Sequence, residues 1–286
     1  MLNVTAARTV GRAGSLSGHI MSLYERLSAL PSRAPSPAAD ALFGELVAAC
    51  VHAEIDDVTQ VLTDPRVIAV RTDLIRLCAE GESLLESAWS HRVLAAADPH
   101  AEAAMFPYLG NYQQLARLEL HALAAAGHRL GATRAVCFVG GGPLPLSALL
   151  LSRLLRVPVT VVDRDVAAVD LARRLVDRLA DPDRITVVAG DAASAPDMAR
   201  VTAGCDVVVV AALVGTTRGD KRAALRAIGT SVEPGTYVVI RTADRLRTLL
   251  YPTVDLGDVH DAGLVSDMVL HPFGEVVNSV IVARRR

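Results

Sequence analysis

Three consecutive glycines, Gly140, Gly141 and Gly142, end an apolar run at Val136 to Val139 and are followed by Pro143-Leu144-Pro145 and a stretch rich in Leu and Ala. A strand that breaks into such a turn and then enters a helix makes a small-molecule pocket. Without Cβ atoms the backbone can touch a ligand, and the helix start presents free N–H groups to a negative one. Leu144 and Pro145 stand where G-x-G-x-x-G would place its third glycine, which argues against a plain dinucleotide fold. The run Val157 to Val162 ends in Asp163-Arg164-Asp165, and Asp163 is the better placed of the two acids to accept from both ribose hydroxyls of a nucleoside. The alternative is that both acids cap the helix beginning near Val166. Asp191, after a third run at Ile185 to Val188, either reaches an adenine amino group or is an ordinary N-cap. Val210-Ala211-Ala212-Leu213-Val214-Gly215 holds no acid or Asn, so Ala211 and its neighbours offer an apolar floor for a purine or thioether and no proton carrier.

The first half of the chain has its own candidates. Glu82 and Glu86 are four residues apart and share a helix face while Leu84 and Leu85 point elsewhere, which on spacing alone favours a solvated acidic stripe. Phe106-Pro107-Tyr108-Leu109-Gly110-Asn111-Tyr112 concentrates rings in a chain that is 3% aromatic. Tyr108, Tyr112, Leu115 and Glu119 fall on one face of the helix that follows, so the rings are expected in the core. His91, His121 and His271 lack metal-ligand spacing, and no nucleophilic Ser or Cys motif occurs.

Two textures position these residues. From His19 to about Leu130 the apolar residues recur at helical spacing (Ile20, Leu23, Tyr24 and Leu27; Leu42, Leu46 and Val47; Leu74, Leu77, Cys78, Leu84 and Leu85), with breaks at Pro31, Pro35, Pro37, Asp64-Pro65 and Phe106-Pro107. From about Ala135 short β-rich runs alternate with helical segments: Ala135 to Val139, Val157 to Val162, Ile185 to Val188, Val207 to Val210 and Tyr237 to Ile240. Five such units predict a parallel, doubly wound sheet. After Tyr251 no helix is expected, and Gly263 to Leu270 and Val276 to Ala283 read as a closing antiparallel pair joined by 271–274. Such a pair resembles the ending of S-adenosylmethionine-dependent methyltransferase-like folds.

Composition limits the remaining options. With 29 basic and 31 acidic residues the formal charge is -2, so there is no electrostatic case for a nucleic-acid partner. Cys50, Cys78, Cys137 and Cys205 are scattered without C-x-x-C, as expected for reduced structural thiols in a cytoplasmic protein. Gly or Pro cuts every long apolar stretch, so no membrane span is expected. Residues 1–18 lack a continuous apolar segment and read as a frayed tail.

Taken together, the segments resemble nicotianamine synthases from about Ile20 to the C-terminus. The carrying residues are Leu74-Ile75-Arg76-Leu77-Cys78 with Leu84-Leu85-Glu86-Ser87, Phe106-Pro107-Tyr108 with Asn111-Tyr112 and Arg117-Leu118-Glu119, and Phe138-Val139-Gly140-Gly141-Gly142-Pro143-Leu144-Pro145-Leu146. To these are added Val210 to Gly215, Leu249-Leu250-Tyr251-Pro252, and His271-Pro272 with Val277-Asn278-Ser279-Val280. Plant members read F-P-Y-Y-N-N-Y where this chain has Leu109-Gly110.

The resemblance implies an α/β fold: an all-helical domain over 19–131 covering a Rossmann-like, class I methyltransferase-type domain over 132–286. S-adenosylmethionine is then a substrate whose 3-amino-3-carboxypropyl arm moves to an amine, releasing 5'-methylthioadenosine for metallophore synthesis, with no metal required. Glu86 becomes the proton acceptor and Tyr112 its hydrogen-bonded partner, which overturns the solvated stripe. Gly140, Gly141, Gly142, Pro143, Asp163, Asp191 and Ala211 hold the nucleoside end. Tyr108, Asn111 and Arg241 face the acceptor, Arg241 as a bidentate carboxylate clamp. Partners are small molecules, not nucleic acid or membrane, and the oligomeric state stays open. Two alternatives stand beside this expectation: an opine-metallophore enzyme adding one aminobutyrate arm to histidine or another amino acid, and a methyltransferase or non-catalytic binding module.

Overall fold

In the computed structural model the described residues are 15–180, 184–272 and 274–286. Among the described residues six α-helices come first: α1 (Leu16–Ala29), α2 (Pro37–Val51), α3 (Ile55–Thr63), α4 (Pro65–Ala95), α5 (Pro99–Ala104) and α6 (Leu109–Ala125). The prolines that break the helical pattern start the next helix. Pro37, Pro65 and Pro99 occupy first-turn positions, where a missing N–H is no loss, and Ser36, Asp64 and Asp98 accept backbone N–H bonds as N-caps. The expected tail over 1–18 is shortened from its far end: Ser15 caps α1 and Ser17 is buried within it, while 1–14 lie outside the described residues. α4 spans 31 residues, roughly 45 Å at 1.5 Å per residue, and its stretch from Ala79 to Glu86 lines the cavity described below.

A seven-stranded sheet follows: β1 (Val136–Val139), β2 (Val159–Asp163), β3 (Ile185–Ala189), β4 (Val207–Val210), β5 (Tyr237–Thr242), β6 (Leu264–Leu270) and β7 (Ser279–Arg285), in the order β3-β2-β1-β4-β5-β7-β6. β1 to β5 pair in parallel, and β7 pairs antiparallel with both β5 and β6. Helices α7 (Leu146–Leu155), α8 (Val166–Leu179), α9 (Ala195–Thr202) and α10 (Arg218–Ser231) make the crossovers. One expectation is corrected here. Helices do not stop at Tyr251, because α11 (Leu256–Asp261) forms from an Asp255 cap; at 6 residues it is too short to carry a periodic signal. Part of the expected 271–274 joint, Phe273, lies outside the described residues.

Alternating strand residues feed opposite faces. Phe138, Val161, Val209 and Val239 pack with Val93, Leu115 and Leu123 of α4 and α6, while Val139, Val162, Val208 and Val210 pack on the α9–α11 side. Chain order reverses between β1 and β4, and the crevice beyond the strands' carboxyl ends at this switch point is where α/β sheets bind ligands. Here α4 and α6 roof it.

Candidate active site

The cavity at that crevice has a volume of about 470 Å³, bounded below by the glycine turn and the β2, β4 and β5 ends and above by Glu82, Glu86, Tyr112 and Tyr251. Gly140 and Gly142 have φ of +85° and +62°, a region L side chains rarely adopt. A Cβ on Gly140 would lie 2.4 Å from Val214 Cγ2, and one on Gly142 would lie 2.6 Å from Glu86 Oε2. The glycine turn thus presses directly on the acid above it. Pro143 also lines the cavity, and Ser90 Oγ of α4 lies 2.8 Å from its carbonyl oxygen and from that of Glu86.

Asp163 and Asp165 separate cleanly. Asp165 caps α8, accepting from Ala167 N–H at 2.9 Å. Asp163 accepts from Gly142 N–H at 2.8 Å and Asp165 N–H at 3.0 Å, tying the glycine turn to the end of β2. A carboxylate has about four acceptor positions, so two remain for hydroxyl donors in the cavity. Asp191 is not the cap of α9, a role taken by Ser194; it closes a turn onto Ala193 N–H at 2.9 Å and lines the cavity. Ala211 lines the floor, held to β1 through Val139 O at 2.9 Å.

The solvated stripe is absent. Glu86 Oε1 accepts from Tyr112 Oη at 2.8 Å, and Glu82 Oε2 accepts from Tyr251 Oη at 2.8 Å. Both carboxyls face the cavity with protein on their other sides. Desolvation pushes both above the ordinary carboxylate range; at Glu86 the neighbouring Glu82 adds to the rise, and the Tyr112 hydrogen bond opposes it. Desolvation and the two carboxyls in turn hold both phenols well above their usual range, so Tyr112 and Tyr251 keep their protons and donate. The cysteines take no part: Cys50, Cys78, Cys137 and Cys205 are free thiols, all pushed up by burial.

The three residues expected around the acceptor fare differently. Arg241 reaches the cavity, but its guanidinium is already clamped: Nε and Nη2 donate to the Glu119 carboxylate at 2.7 and 3.2 Å, and Nη2 to Ser147 Oγ at 3.0 Å. The carboxylate it binds bidentately is the protein's own. Asn111 lines the cavity and spends an amide N–H on Glu275 O at 2.6 Å. Tyr108 is not among the lining residues and is 38% exposed, stacked edge-on to Phe106. The shared-face expectation fails there because Tyr108 precedes α6, with non-helical φ and ψ of -101° and 8°. Leu115 and Glu119, further along α6, are buried as that face predicts, and Tyr112 is partly buried.

Sequence reasoning gave no role to Ser90, Ser147 or Lys221 and left Glu82, Glu119 and Tyr251 without their partners. The sequence signals were weak: Tyr251 lies 169 positions from Glu82, and Arg241 lies 122 from Glu119. Lys221 is fully buried on α10, donates to Ala212 O of the cavity floor at 2.6 Å, and is pushed down to about 7 by desolvation.

The profile of the family described as nicotianamine synthase protein matches residues 13–286. Nicotianamine synthase 2 of Oryza sativa subsp. japonica is 40% identical over 269 residues, covering 93% of this chain and 81% of that protein. Nicotianamine synthase-like 5 protein of Hordeum vulgare is 39% identical over 279 residues, covering 96% of each. Among solved structures, a mutant of MtNAS in complex with S-adenosylmethionine superposes with a TM-score of 0.79 at 24% identity, over 96% of this chain and 99% of that one. The mitomycin 7-O-methyltransferase MmcR shares the fold more distantly, with a TM-score of 0.51 at 17% identity over 89% of this chain and 74% of that one. With the twin carboxyl–tyrosine cavity set on a methyltransferase-type sheet, and with these relatives matched over nearly the whole chain, the protein belongs to the nicotianamine synthase family.

Proposed function

We propose that the chain transfers 3-amino-3-carboxypropyl groups from S-adenosylmethionine to an amine, releasing 5'-methylthioadenosine, and that its product, with amines and carboxylates three carbons apart, chelates a metal. The observation that carries this reading is the Glu86–Tyr112 pair set against Gly142, which supports a proton-accepting role for Glu86 next to the glycine turn. A solved structure of MtNAS carries MTA and tNA, which supports the same reading for the cavity.

A sulfonium activates each of its three carbons, so the protein selects the reaction by which carbon faces the nucleophile. As the amine attacks, the nitrogen–carbon bond forms and the carbon–sulfur bond breaks, with the electron pair left on sulfur as a neutral thioether. Positive charge therefore moves from sulfur to nitrogen. Glu86 stands ready for it, and its raised pKa narrows the gap to an ammonium, so the surplus proton passes from the amine to Glu86. Tyr112 donates to the same carboxylate and fixes its orientation.

Chromatography of the nucleosides formed from S-adenosylmethionine, alone and with histidine, tests the reading. 5'-Methylthioadenosine is the expected product. Accumulation of S-adenosylhomocysteine would make the chain a methyltransferase and end the proposal.

A further inference from the structure

A second cavity, of about 290 Å³, shares no lining residue with the first. Leu62 of α3 and Val67, Ile68 and Arg71 of α4 form one wall, and the segment after β5, which includes a short 3-10 helix at Arg245–Leu249, forms the other. One of its charges has no counterpart. Among the described residues Arg71 forms no ion pair: Nε donates to the Thr248 carbonyl at 3.1 Å, and the remaining guanidinium N–H groups meet no protein acceptor. Burial lowers its pKa, with no carboxylate acting on it. The other two charges lining the cavity offset each other, Arg245 Nε lying 3.7 Å from Asp244 Oδ2. A single positive charge therefore remains, on the Arg71 side.

A half-buried guanidinium with open, planar donors matches a carboxylate in shape as well as charge. Beside it the cavity is apolar: Val67 and Leu249 are buried, while Ile68 is 57% exposed. Open apolar area next to a lone cation suits a ligand that is amphiphilic in the same way. The backbone supplies an independent sign. Arg245 has a φ of +52°, and the other non-glycine residue with positive φ among the described residues, Arg156, is an ordinary left-handed helix end. Arg245 instead opens a helix. Strain of that kind persists where the surrounding structure over-determines it, and it clusters at ligand sites. We propose that this cavity is a binding site for a small monocarboxylate with a short branched apolar chain, the carboxylate held by Arg71 and the chain lying on Val67, Ile68 and Leu249. A free amino acid and the corresponding plain carboxylic acid share that chemistry, and Asp244 is the group that would tell them apart by accepting from an ammonium.

Calorimetric titration of the full chain with 4-methylpentanoate, leucine and inorganic phosphate tests the site, beside Arg71→Gln and Ile68→Asp. The second variant sits at an exposed position and sets a carboxylate one helical turn from Arg71, which then has an internal partner. The expected result is one carboxylate bound per chain, with affinity rising about fourfold per carbon from propanoate to 4-methylpentanoate as the chain is buried. Either variant should weaken it at least tenfold while S-adenosylmethionine affinity changes less than threefold. Tighter binding of leucine than of 4-methylpentanoate upholds the site with an amino acid as occupant, and the reverse order upholds it with the plain acid. Phosphate binding as well as either carboxylate marks an unselective anion site and overturns the proposal. Binding that survives both variants belongs to the active cavity and overturns it too, as does the absence of binding of either carboxylate at millimolar concentration.

Discussion

Glu86 shows how far a residue can depart from what its spacing suggests. An i, i+4 pair of glutamates normally faces water, yet here the roof position of α4 turns both inward, and desolvation becomes the dominant influence on their protonation. Because the pKa of folded Glu86 is raised, the stability this group contributes is full below its unfolded value near 4.3 and is lost as pH rises toward the folded value. Glu86→Gln removes that loss. Chemical denaturation should find the ligand-free variant more stable than wild type by roughly 0.5–2 kcal/mol at mildly alkaline pH, with the gain shrinking at acid pH. Single-turnover rates should fall about a hundredfold or more with S-adenosylmethionine affinity nearly intact. Full activity in this variant would move the base to Glu82. Residues with strong local chemistry were legible in the sequence: three glycines announce a turn, and an acid after a strand announces either a ligand contact or a cap. Tyr251 and Glu119 were not, because their roles exist only through partners more than a hundred positions away.

At the scale of elements, sequence and structure agree wherever period and punctuation coincide. Strands were found within a few residues because each is a short Val/Ile run between turn residues, and the helix starts follow the Ser-Pro and Asp-Pro steps. α11 escaped because 6 residues cannot display a period. α10 carries a conflict the sequence does not announce. Lys221 sits in its first turn, where the helix macrodipole disfavours a cation, and burial lowers it to about 7 against an unfolded value near 10.4. Below about pH 7 both states are protonated and the fold bears the full cost of the buried ammonium. That cost fades as pH rises from the folded to the unfolded value, since the unfolded chain binds more protons over that window. Lys221→Met should therefore be stabilising by roughly 1–3 kcal/mol below neutral pH, with the gain declining toward pH 10 in urea titrations. The same variant should bind S-adenosylmethionine more weakly, because the Ala212 carbonyl of the cavity floor loses its donor. A pH-independent stability difference would show that Lys221 is not desolvated as described.

For the whole molecule, the change of texture near residue 131 does not mark a gap in packing. Val93, Leu115 and Leu123 from the helical part share one apolar cluster with Phe138, Val161 and Val239 of the sheet. Arg241 on β5 is bound through two nitrogens to Glu119 on α6. Removing one partner of a buried ion pair leaves an uncompensated charge, so Glu119→Ala should cost about 3–5 kcal/mol and lower the single transition of helices and sheet together. Two separate melting transitions in calorimetry would contradict the shared core. The doubly wound sheet was readable from alternating periods, whereas the depth of this contact was not, since an amphipathic helix shows that it has a buried face without showing which surface covers it.

Ser90 has one more implication, for traffic through the cavity. Its hydroxyl bridges the Glu86 carbonyl of α4 and the Pro143 carbonyl, so the roof and the glycine turn are stitched together behind the cavity wall. A roof tied in this way should resist opening, and product departure rather than bond-making is then expected to limit repeated cycles. Rapid-quench time courses should show a burst of about one 5'-methylthioadenosine per enzyme followed by a slower linear phase. Ser90→Ala, by loosening the stitch, should raise the linear rate relative to the burst. A time course linear from the first turnover would place the slow step in the chemistry instead.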